Sequence, residues 1–399
     1  MIKKSRLEAE TEPKDLLVRI CYICPSGEVE FIMEETKIQY GGEVKSRIYS
    51  AERVSEAAEA ISRTCGEAPV FLLYDINSRE YAMELETILK GGTLRLGGAM
   101  GIEASEDKKT MDTVMEICRW LLEKGADRKS ALISIGGGIT SDIGGFAACI
   151  YKRGINFGYI PTTLLAQVDA GIGGKTGVNF DDYKNILGVI RQPAFSFLCT
   201  ETLETLPYRV FKSGSSEMLK TFIIDDSKGL YEEAVRTLSE IEAAGGKPES
   251  IREEALNLKK LIREAAAVKA GIVSRDPYEH GERRKLNLGH TFAHAIEHEA
   301  REKGKDISHG EAVSMGMVLA ARLSDKAGLS DGAMETKIWK DLTRCGLRTD
   351  CPFAMETLAG AMGKDKKAEG GIIHFVLIKA IGEVVTRDMS VEEAIGMIR

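Results

Sequence analysis

Apolar runs and amphipathic patterns alternate through the first half of the chain. Three short apolar runs predict buried strands, and two segments with helical spacing of their apolar positions predict helices. The strands are predicted at 68–75, 131–138 and 155–163, and the helices at 51–64 and 108–125. Because strands that alternate with helices build parallel sheets, we expect a Rossmann-like α/β domain, which we place at residues 46–212.

The pattern changes after residue 212. Amphipathic patterns over 249–274 and 310–328 predict long helices, and residues 370–385 predict a β-hairpin. We therefore expect residues 213–399 to form a mostly α-helical domain. Residues 1–45 are predicted to be an N-terminal extension, in which two strand-like runs flank a Pro-Ser-Gly turn.

Composition and charge exclude several classes of protein. A length of 399 residues favours two domains, and a formal net charge of −7 without a Lys/Arg stripe argues against nucleic-acid binding. No apolar run approaches the ~20 residues that span a bilayer. No apolar segment follows the charged N-terminus, so we expect a cytoplasmic protein. The eight scattered cysteines, including Cys21 and Cys24, favour reduced thiols over a metal or redox site.

The segment 133–145 is a candidate for nucleotide binding. Its predicted strand ends in Gly136, Gly137 and Gly138 at the start of a predicted helix. Glycines allow the backbone to approach a pyrophosphate, and a helix N-terminus offers free N–H groups. The alternative is a tight strand-to-helix turn without a ligand, since the segment does not match G-x-G-x-x-G.

The segment 160–179 contains a Gly-Gly-Lys sequence that ends at Lys175. It lacks the first glycine of a Walker motif, so a P-loop is excluded. A lysine on a glycine loop is still well placed to meet an anion, and Lys184 and Asn185 follow shortly after it. The alternative is a surface loop with solvated lysines.

Clustered histidines point to a metal. His290, His294 and His298 recur every four residues and so share one helical face. The whole chain has only six histidines, so this clustering is far from random. By spacing alone, His290 and His294 could chelate one metal. His309, together with an acid such as Glu217, could complete an open His₂Glu site. The alternative is a helix that packs polar side chains at an interface.

Other charged positions have simpler interpretations when they are taken alone. Glu217 and Lys220 lie three residues apart on one helical face, and this spacing favours an exposed ion pair. The lysines of 364–371 favour a solvated charged run. His280 and His374 are interpreted as structural or surface residues.

Taken together, these segments resemble the 3-dehydroquinate synthase family in residues, spacing and order. The shared motifs are GGGITSD, YKRG, PTTLLAQVD, GGKTGVN, KNILG, SGSSEMLK, LNLGHTFAHAIE, HGEAV and a terminal DKK followed by FVLIKAIG. The likeness covers residues 46–385 and leaves the extension outside. It implies a Rossmann-like NAD domain, a helical domain that binds metal and substrate, and a homodimer.

The resemblance also implies roles for individual residues. Zn²⁺ or Co²⁺ would be held by Glu217, His290 and His309, with His294 contacting substrate and not metal. NAD would contact Asp75, Asn77, Glu106, Lys109, Gly137, Gly138, Ile139, Asp142, Thr162, Thr163, Asp169, Lys175, Lys184, Thr202 and Thr205. Substrate would contact Lys175, Asn185, Lys220, Lys269, Arg283, Asn287, His294 and Lys366, and Arg153 would reach into the partner subunit's site.

The reaction that the resemblance implies is phosphate elimination and ring closure. It would convert 3-deoxy-D-arabino-heptulosonate 7-phosphate to 3-dehydroquinate in the shikimate pathway of aromatic amino acid biosynthesis, with NAD recycled. The carboxylate and phosphate of this substrate suit a cluster of Lys and Arg. The alternatives are another sugar-phosphate cyclase, such as 2-deoxy-scyllo-inosose synthase, and a metal-dependent NAD alcohol dehydrogenase. Ser215, Ser216 and Phe222 depart from the family pattern and flank Glu217.

Overall fold

The computed structural model describes residues 18–23, 29–181, 183–365 and 372–399. The chain divides into two compact units. The first contains the described residues up to Thr162 together with Ala170–Thr202, and the second contains Thr163–Asp169 and Leu203–Arg399. We refer to them as the α/β unit and the helical unit.

The α/β unit alternates strands and helices. Its strands are β1 (Val18–Ile23), β2 (Val29–Tyr40), β3 (Glu43–Ala51), β4 (Val70–Asp75), β5 (Leu96–Ile102), β6 (Ala131–Gly136), β7 (Asn156–Pro161), β8 (Lys175–Phe180), β9 (Tyr183–Ile190) and β10 (Phe195–Cys199). Its helices are α1 (Ala57–Cys65), α2 (Arg79–Gly91), α3 (Met111–Glu123) and α4 (Gly138–Ile150).

One large sheet organises the α/β unit. Among the described residues, eight strands follow the order β1-β2-β3-β10-β7-β6-β4-β5. The strands from β3 to β5 in this order are parallel, whereas β1 and β2 extend the sheet in antiparallel fashion. Strands β8 and β9 form a separate antiparallel pair. Because β4, β6 and β7 are parallel neighbours, their carboxyl ends lie at one edge of the sheet.

Helices cover both faces of this sheet. Leu72 and Ile133 belong to a buried cluster with residues of α1 and α2. Phe71 and Leu132, their chain neighbours, belong to a second cluster with residues of α3 and α4. Successive strand residues point to opposite faces, and each fully buried Leu, Ile or Phe contributes roughly 1.5–3 kcal/mol. This two-faced burial explains why these strands are continuous apolar runs and not alternating ones.

Helix α4 lies close to the sheet because it presents glycine there. A Cβ at Gly144 would lie 2.1 Å from Ser134 Oγ, and one at Gly145 would lie 2.1 Å from the Tyr159 hydroxyl oxygen. Any side chain at these positions would push the helix outward. The close packing fixes the N-terminus of α4 at the carboxyl end of β6.

The helical unit is built around α5. Its helices are α5 (Tyr208–Ile224), α6 (Tyr231–Ala243), α7 (Pro248–Glu253), α8 (Ala255–Arg275), α9 (His290–Glu302), α10 (His309–Lys326), α11 (Met334–Arg344), α12 (Met355–Asp365) and α13 (Val391–Ile398). The hairpin of β11 (Ile372–Ala380) and β12 (Glu383–Ser390) is the one predicted from the sequence, and that prediction is confirmed. Helices α6, α8 and α10 all pack against α5. The predicted fold class, a Rossmann-like α/β domain with a mostly helical partner, is likewise confirmed.

Within the part of the chain that the structure describes, no helix combines the length and apolarity needed to cross a bilayer.

Candidate active site

Three potential metal ligands converge in the helical unit. Glu217 lies on α5, His290 begins α9 and His309 begins α10, and one ligand atom from each lies within 4.8 Å of the other two. The Glu217 Oε1 atom is 3.2 Å from His309 Nε2 and 3.5 Å from His290 Nε2. The chain therefore folds so that positions far apart in sequence present one carboxylate and two imidazoles to a common point.

The neighbouring pair of Glu217 and Lys220 is buried. The two residues are 0% and 1% exposed, and Lys220 Nζ lies 2.5 Å from Glu217 Oε2. The surface ion pair that the spacing alone favours is therefore wrong. Spacing along one helix carries no information about the helices that pack around α5 and enclose both side chains.

Both histidine rings are oriented by a second partner. His290 Nδ1 lies 3.2 Å from the carbonyl oxygen of Leu288, and His309 Nδ1 lies 3.6 Å from Glu297 Oε2. A metal at the two Nε2 atoms would take the place of any proton there, and these partners would then accept the proton that remains on each Nδ1, as in metal-bound histidines. Sequence reasoning missed Glu297. It lies in the histidine motif itself, but no spacing rule connects it to His309 on the following helix.

The charges in the cluster are strongly coupled. Burial lowers the pKa of His290 to about 3, assisted by the nearby Lys220 ammonium. Burial also opposes the charged form of His309, but its contacts with the Glu217 and Glu297 carboxylates outweigh this and raise its pKa to about 10. Burial likewise opposes ionisation of Glu217, yet Lys220 and the histidines hold its pKa well below the usual range. Without a metal, the cluster thus contains an ionised carboxylate, a neutral His290 imidazole and a protonated His309 imidazolium.

A divalent cation fits this arrangement. Glu217 Oε1 faces the Nε2 atoms of both histidines at 3.2 and 3.5 Å, while its Oε2 pairs with Lys220. One carboxylate and two imidazoles are a common donor set for Zn²⁺. The donor set, the orientation of the rings and the short distances together make these residues suitable as metal ligands.

A second buried ion pair lies in the same unit. Lys269 Nζ is 2.5 Å from Asp169 Oδ1 and 2.7 Å from the Asp169 carbonyl oxygen. Burial lowers the pKa of Lys269. Burial opposes ionisation of Asp169, but Lys269 and then Lys220 lower its pKa. The structure thus brings two predicted substrate lysines and a predicted NAD contact into one network of alternating charge.

The segment between α8 and α9 presents Arg283 and Asn287. Asp276 accepts hydrogen bonds from the backbone N–H groups of His280, Gly281 and Arg283 and so folds this segment into a compact turn. The buried Arg283 guanidinium donates to the Pro277 carbonyl at 2.7 Å. The Asn287 amide donates to Glu279 at 2.9 Å.

Other predicted residues of the helical unit have plainer surroundings. The His294 ring meets the His290 ring edge-on, with centroids 5.7 Å apart. Thr163 Oγ1 accepts the Ala166 N–H, and Thr205 lies just before α5. Lys366 lies outside the described residues. Of the departures near Glu217, Ser215 and Ser216 donate to the backbone carbonyls of Phe211 and Lys212 one turn earlier, and Phe222 is buried.

The glycine turn of the α/β unit lies at the carboxyl ends of β4, β6 and β7. Gly136 has φ +157°, which suits glycine, and a Cβ there would lie 3.1 Å from the Asp75 Cβ. The Thr162 N–H donates to the Gly136 carbonyl at 2.9 Å. Gly137 is the N-cap of α4, and Gly138 and Ile139 begin the helix. The turn therefore gathers predicted NAD contacts from three strands around free N–H groups.

A buried lysine ties this turn to the β8–β9 hairpin. Lys109 is 5% exposed, and its Nζ donates to Asp142 at 2.6 Å and to Asn185 at 2.5 Å. Asn185 has φ +55°, and its N–H donates to Asn179. The Asn179 amide in turn donates to Glu106 at 2.8 Å. Lys109, Asp142 and Asn185, which the sequence assigned to different ligands, are direct neighbours.

Further contacts are known for the other predicted residues of the α/β unit. Asp75 accepts the Asn77 N–H, and Thr162 Oγ1 lies 3.0 Å from Ser78 Oγ. Thr202 donates to the Cys199 carbonyl. Lys175 and Lys184 lie on the exposed β8–β9 hairpin, and Arg153 lies in a tight turn with φ +70°.

Comparison with known protein families shows which family this chain belongs to. A family model described as 3-dehydroquinate synthase N-terminal matches residues 99–213, and one described as 3-dehydroquinate synthase C-terminal matches residues 214–368. The chain belongs to the 3-dehydroquinate synthase family. The predicted enzyme class, a phosphate-eliminating carbon–oxygen lyase, is confirmed by this membership.

Individual relatives agree. The 3-dehydroquinate synthase of Pyrococcus abyssi is 42% identical over 75% of this chain and 84% of its own length. That of Acidithiobacillus ferrooxidans is 41% identical over 71% of this chain and 75% of its own length. That of Leptospira interrogans is 38% identical over 85% of this chain and 90% of its own length.

Solved structures share the fold. The 2-epi-5-epi-valiolone synthase of Streptomyces hygroscopicus subsp. jinggangensis, determined with NAD⁺ and Zn²⁺ bound, superposes with a TM-score of 0.77 at 26% identity and covers 91% of this chain and 98% of its own. A 2-deoxy-scyllo-inosose synthase superposes with a TM-score of 0.75 at 21% identity, over 92% of this chain and 99% of its own. The second likeness bears on the fold alone.

Proposed function

We propose that this chain converts 3-deoxy-D-arabino-heptulosonate 7-phosphate to 3-dehydroquinate and phosphate, with NAD as a recycled cofactor and a divalent metal, Zn²⁺ or Co²⁺. The observation that carries the proposal is the convergence of Glu217, His290 and His309 in a member of the 3-dehydroquinate synthase family. The relatives of 38–42% identity carry that enzyme's name, which favours it over the other sugar-phosphate cyclases.

Glu217, His290 and His309 would hold the metal. When bound, it would supply Lewis-acid polarisation of a substrate hydroxyl. The chain's own contribution is orientation, since the Leu288 carbonyl and Glu297 lie at the Nδ1 atoms of the two histidines and would fix the direction of each ring. Glu217 stays ionised because Lys220 and both histidines surround it.

Buried cations of the helical unit would bind the substrate's carboxylate and phosphate. Lys220, Lys269 and Arg283 are at most 6% exposed, and two of them are paired with internal carboxylates. An anionic substrate would take over part of that pairing, and charge-assisted contacts with these preplaced cations would offset the desolvation of its carboxylate and phosphate. Asn287, His294 and Lys366 would complete the substrate contacts, with Lys175, Asn185 and the partner's Arg153.

The α/β unit would bind NAD at its glycine turn. The free N–H groups at the start of α4 favour a pyrophosphate, and Asp75 ends the adjacent strand β4. NAD would accept a hydride and return it, so it would not be consumed. The other NAD contacts implied by the family resemblance belong to this proposal, as does the division into an extension at 1–45 and domains at 46–212 and 213–399.

We also propose a cytoplasmic homodimer. The β8–β9 hairpin supports the dimer because it exposes large apolar side chains, among them Phe180, Tyr183 and Ile186. Large apolar side chains that cluster on one exposed hairpin are typical of a surface that binds another protein. A second copy of the chain on this hairpin would bury it next to Lys184 and Asn185.

The test is an assay of the purified protein with the heptulosonate phosphate, NAD and Zn²⁺. We expect release of inorganic phosphate together with 3-dehydroquinate, no net accumulation of NADH, and no activity after chelator treatment until metal is returned. Stoichiometric NADH would favour an alcohol dehydrogenase. Phosphate release from a sugar phosphate without a carboxylate, but not from the heptulosonate phosphate, would favour another cyclase.

A further inference from the structure

One face of α5 is in contact with the start of α10. Arg209, Ser213 and Glu217 are spaced four residues apart on α5 and therefore share this face. Glu217 meets His309, the first residue of α10, at 3.2 Å. Ser213 and Arg209 contact the residues on either side of that histidine. The first turn of α10 is thus held at three successive levels of one helix.

The middle level is a close backbone contact. Ser213 Oγ accepts the Gly310 N–H at 3.0 Å. A Cβ at Gly310 would lie 2.3 Å from the Ser213 Cα, so only glycine allows α10 to start this near to α5. This contact fixes the distance between the two helices at Gly310.

The outer level holds the first turn of α10 through Arg209. Arg209 Nη2 donates to Glu311 Oε2 at 2.9 Å and to the Asp306 carbonyl at 3.3 Å, and Nη1 pairs with the Asp306 carboxylate. Glu311 Oε2 also accepts the Ser308 N–H at 2.7 Å, as part of the capping box that starts α10. One guanidinium therefore holds the chain both before and after His309.

We propose that Arg209 is a positioning residue of the metal site, which sets the register of His309 against Glu217. The inference rests on the proposed metal site and extends it to a residue that is half-exposed and touches none of the three ligands. A single exposed ion pair contributes little. Arg209 differs because its planar group engages two carboxylates and a carbonyl at once, in a geometry that Lys cannot reproduce.

The test compares Arg209→Gln with Arg252→Gln in the full-length protein. Arg252 is a matched control from the same unit. Two nitrogens of its guanidinium bind the Glu204 carboxylate, and its side chain is exposed, as that of Arg209 is. We expect Arg209→Gln to weaken Zn²⁺ binding about tenfold, as loss of residues that orient metal ligands does. The measurement is competition for Zn²⁺ with a chromogenic chelator.

Two further variants sharpen the result. Glu311→Gln keeps the hydrogen bond of the capping box but removes the charge that Arg209 binds, so it should weaken Zn²⁺ binding to a similar degree. The double variant, Arg209→Gln with Glu311→Gln, should bind Zn²⁺ no more weakly than either single variant. Arg209→Lys should restore only part of the affinity. The visible absorption of bound Co²⁺ should shift in Arg209→Gln and remain unchanged in Arg252→Gln.

The outcomes separate this inference from the proposed function. If the wild-type chain binds no Zn²⁺, the proposed metal site itself fails. If the wild type binds Zn²⁺ and Arg209→Gln binds it equally well with an unchanged Co²⁺ spectrum, the positioning role is overturned, whatever happens to the melting temperature. Equal weakening by Arg252→Gln would overturn it as well, since the effect would then be a general loss of stability.

Discussion

The metal cluster of the helical unit and the glycine turn of the α/β unit assemble their groups in opposite ways. The cluster takes side chains from α5, α9 and α10, and its two most distant ligands are 92 positions apart in sequence. The turn is a continuous stretch in which β6 runs through glycines into α4. The metal cluster depends on how three helices pack together. The glycine turn depends only on the backbone conformation of one strand-to-helix connection.

The two sites also differ in what stabilises them. In the cluster, opposite charges stabilise one another against the cost of burial. Lys220 and the histidines, for example, keep Glu217 ionised. At the glycine turn the decisive quantity is space, because a side chain at Gly136 or Gly138 would meet its neighbours at 3.1 Å or less. Substitutions should therefore harm the cluster through charge and the turn through shape.

The largest effect is expected from His290→Ala. It removes a ligand whose Nε2 points into the cluster, so the metal should be lost and activity should fall roughly a thousandfold or more, since a metal supplies several kcal/mol of charge stabilisation. Elemental analysis and phosphate release measure the two quantities. His374→Ala is the matched control, because that histidine pairs with Asp388 on an exposed strand. A variant that keeps one metal per chain would show that His290 is not a ligand.

A smaller effect, on stability, is expected from Lys220→Met. It leaves the buried Glu217 carboxylate without its nearest cation, and breaking a buried pair in this way costs about 3 kcal/mol or more. Zn²⁺ should recover part of the loss, because the ion supplies positive charge at the same carboxylate. Urea unfolding of the variant and the wild type, each with and without Zn²⁺, measures this difference.

Lys228→Met provides the comparison for that experiment. Lys228 is half-exposed, and its partner Glu264 also binds Arg263, so this loss should cost about 1 kcal/mol or less and should not respond to Zn²⁺. Equal costs for the two variants would mean that Lys220 contributes no more than a surface lysine does. The claim that Lys220 stabilises the buried Glu217 carboxylate would then have no support.

This contrast explains what the sequence could and could not predict. Hydrophobic periodicity is local, so it correctly predicted the strand that ends at Asp75, the strand that enters the glycine turn, and the long helices. Burial of Glu217 and Lys220 is not local, because it depends on α6, α8 and α10 packing around α5. The spacing argument therefore placed that pair on the surface. It also left His294 and His309 as competing ligands until the family resemblance separated them.

Contacts between distant segments were missed for the same reason. Glu297 orients His309 across two helices, and Lys109 joins Asp142 to Asn185 across 33 and 76 positions. Each residue is ordinary in its own segment, and its role appears only when the segments meet. The sequence predicted the chemical type of each site, but not the residues that orient its groups.

The smallest effect is expected from Gly138→Ala, which tests the glycine turn. The added Cβ would lie 2.9 Å from the Ala170 Cβ, so the first turn of α4 must move away from its position. We expect NAD to bind about tenfold more weakly, since its pyrophosphate depends on close approach to this backbone. Zn²⁺ affinity should be unchanged, because all three ligands belong to the other unit. Calorimetric titration with NAD and with Zn²⁺ measures both affinities.

Gly91→Ala is the control, because a Cβ there meets nothing within 4 Å. If Gly138→Ala binds NAD as the wild type does, the turn is only a tight connection between strand and helix, and the cofactor site must be sought elsewhere.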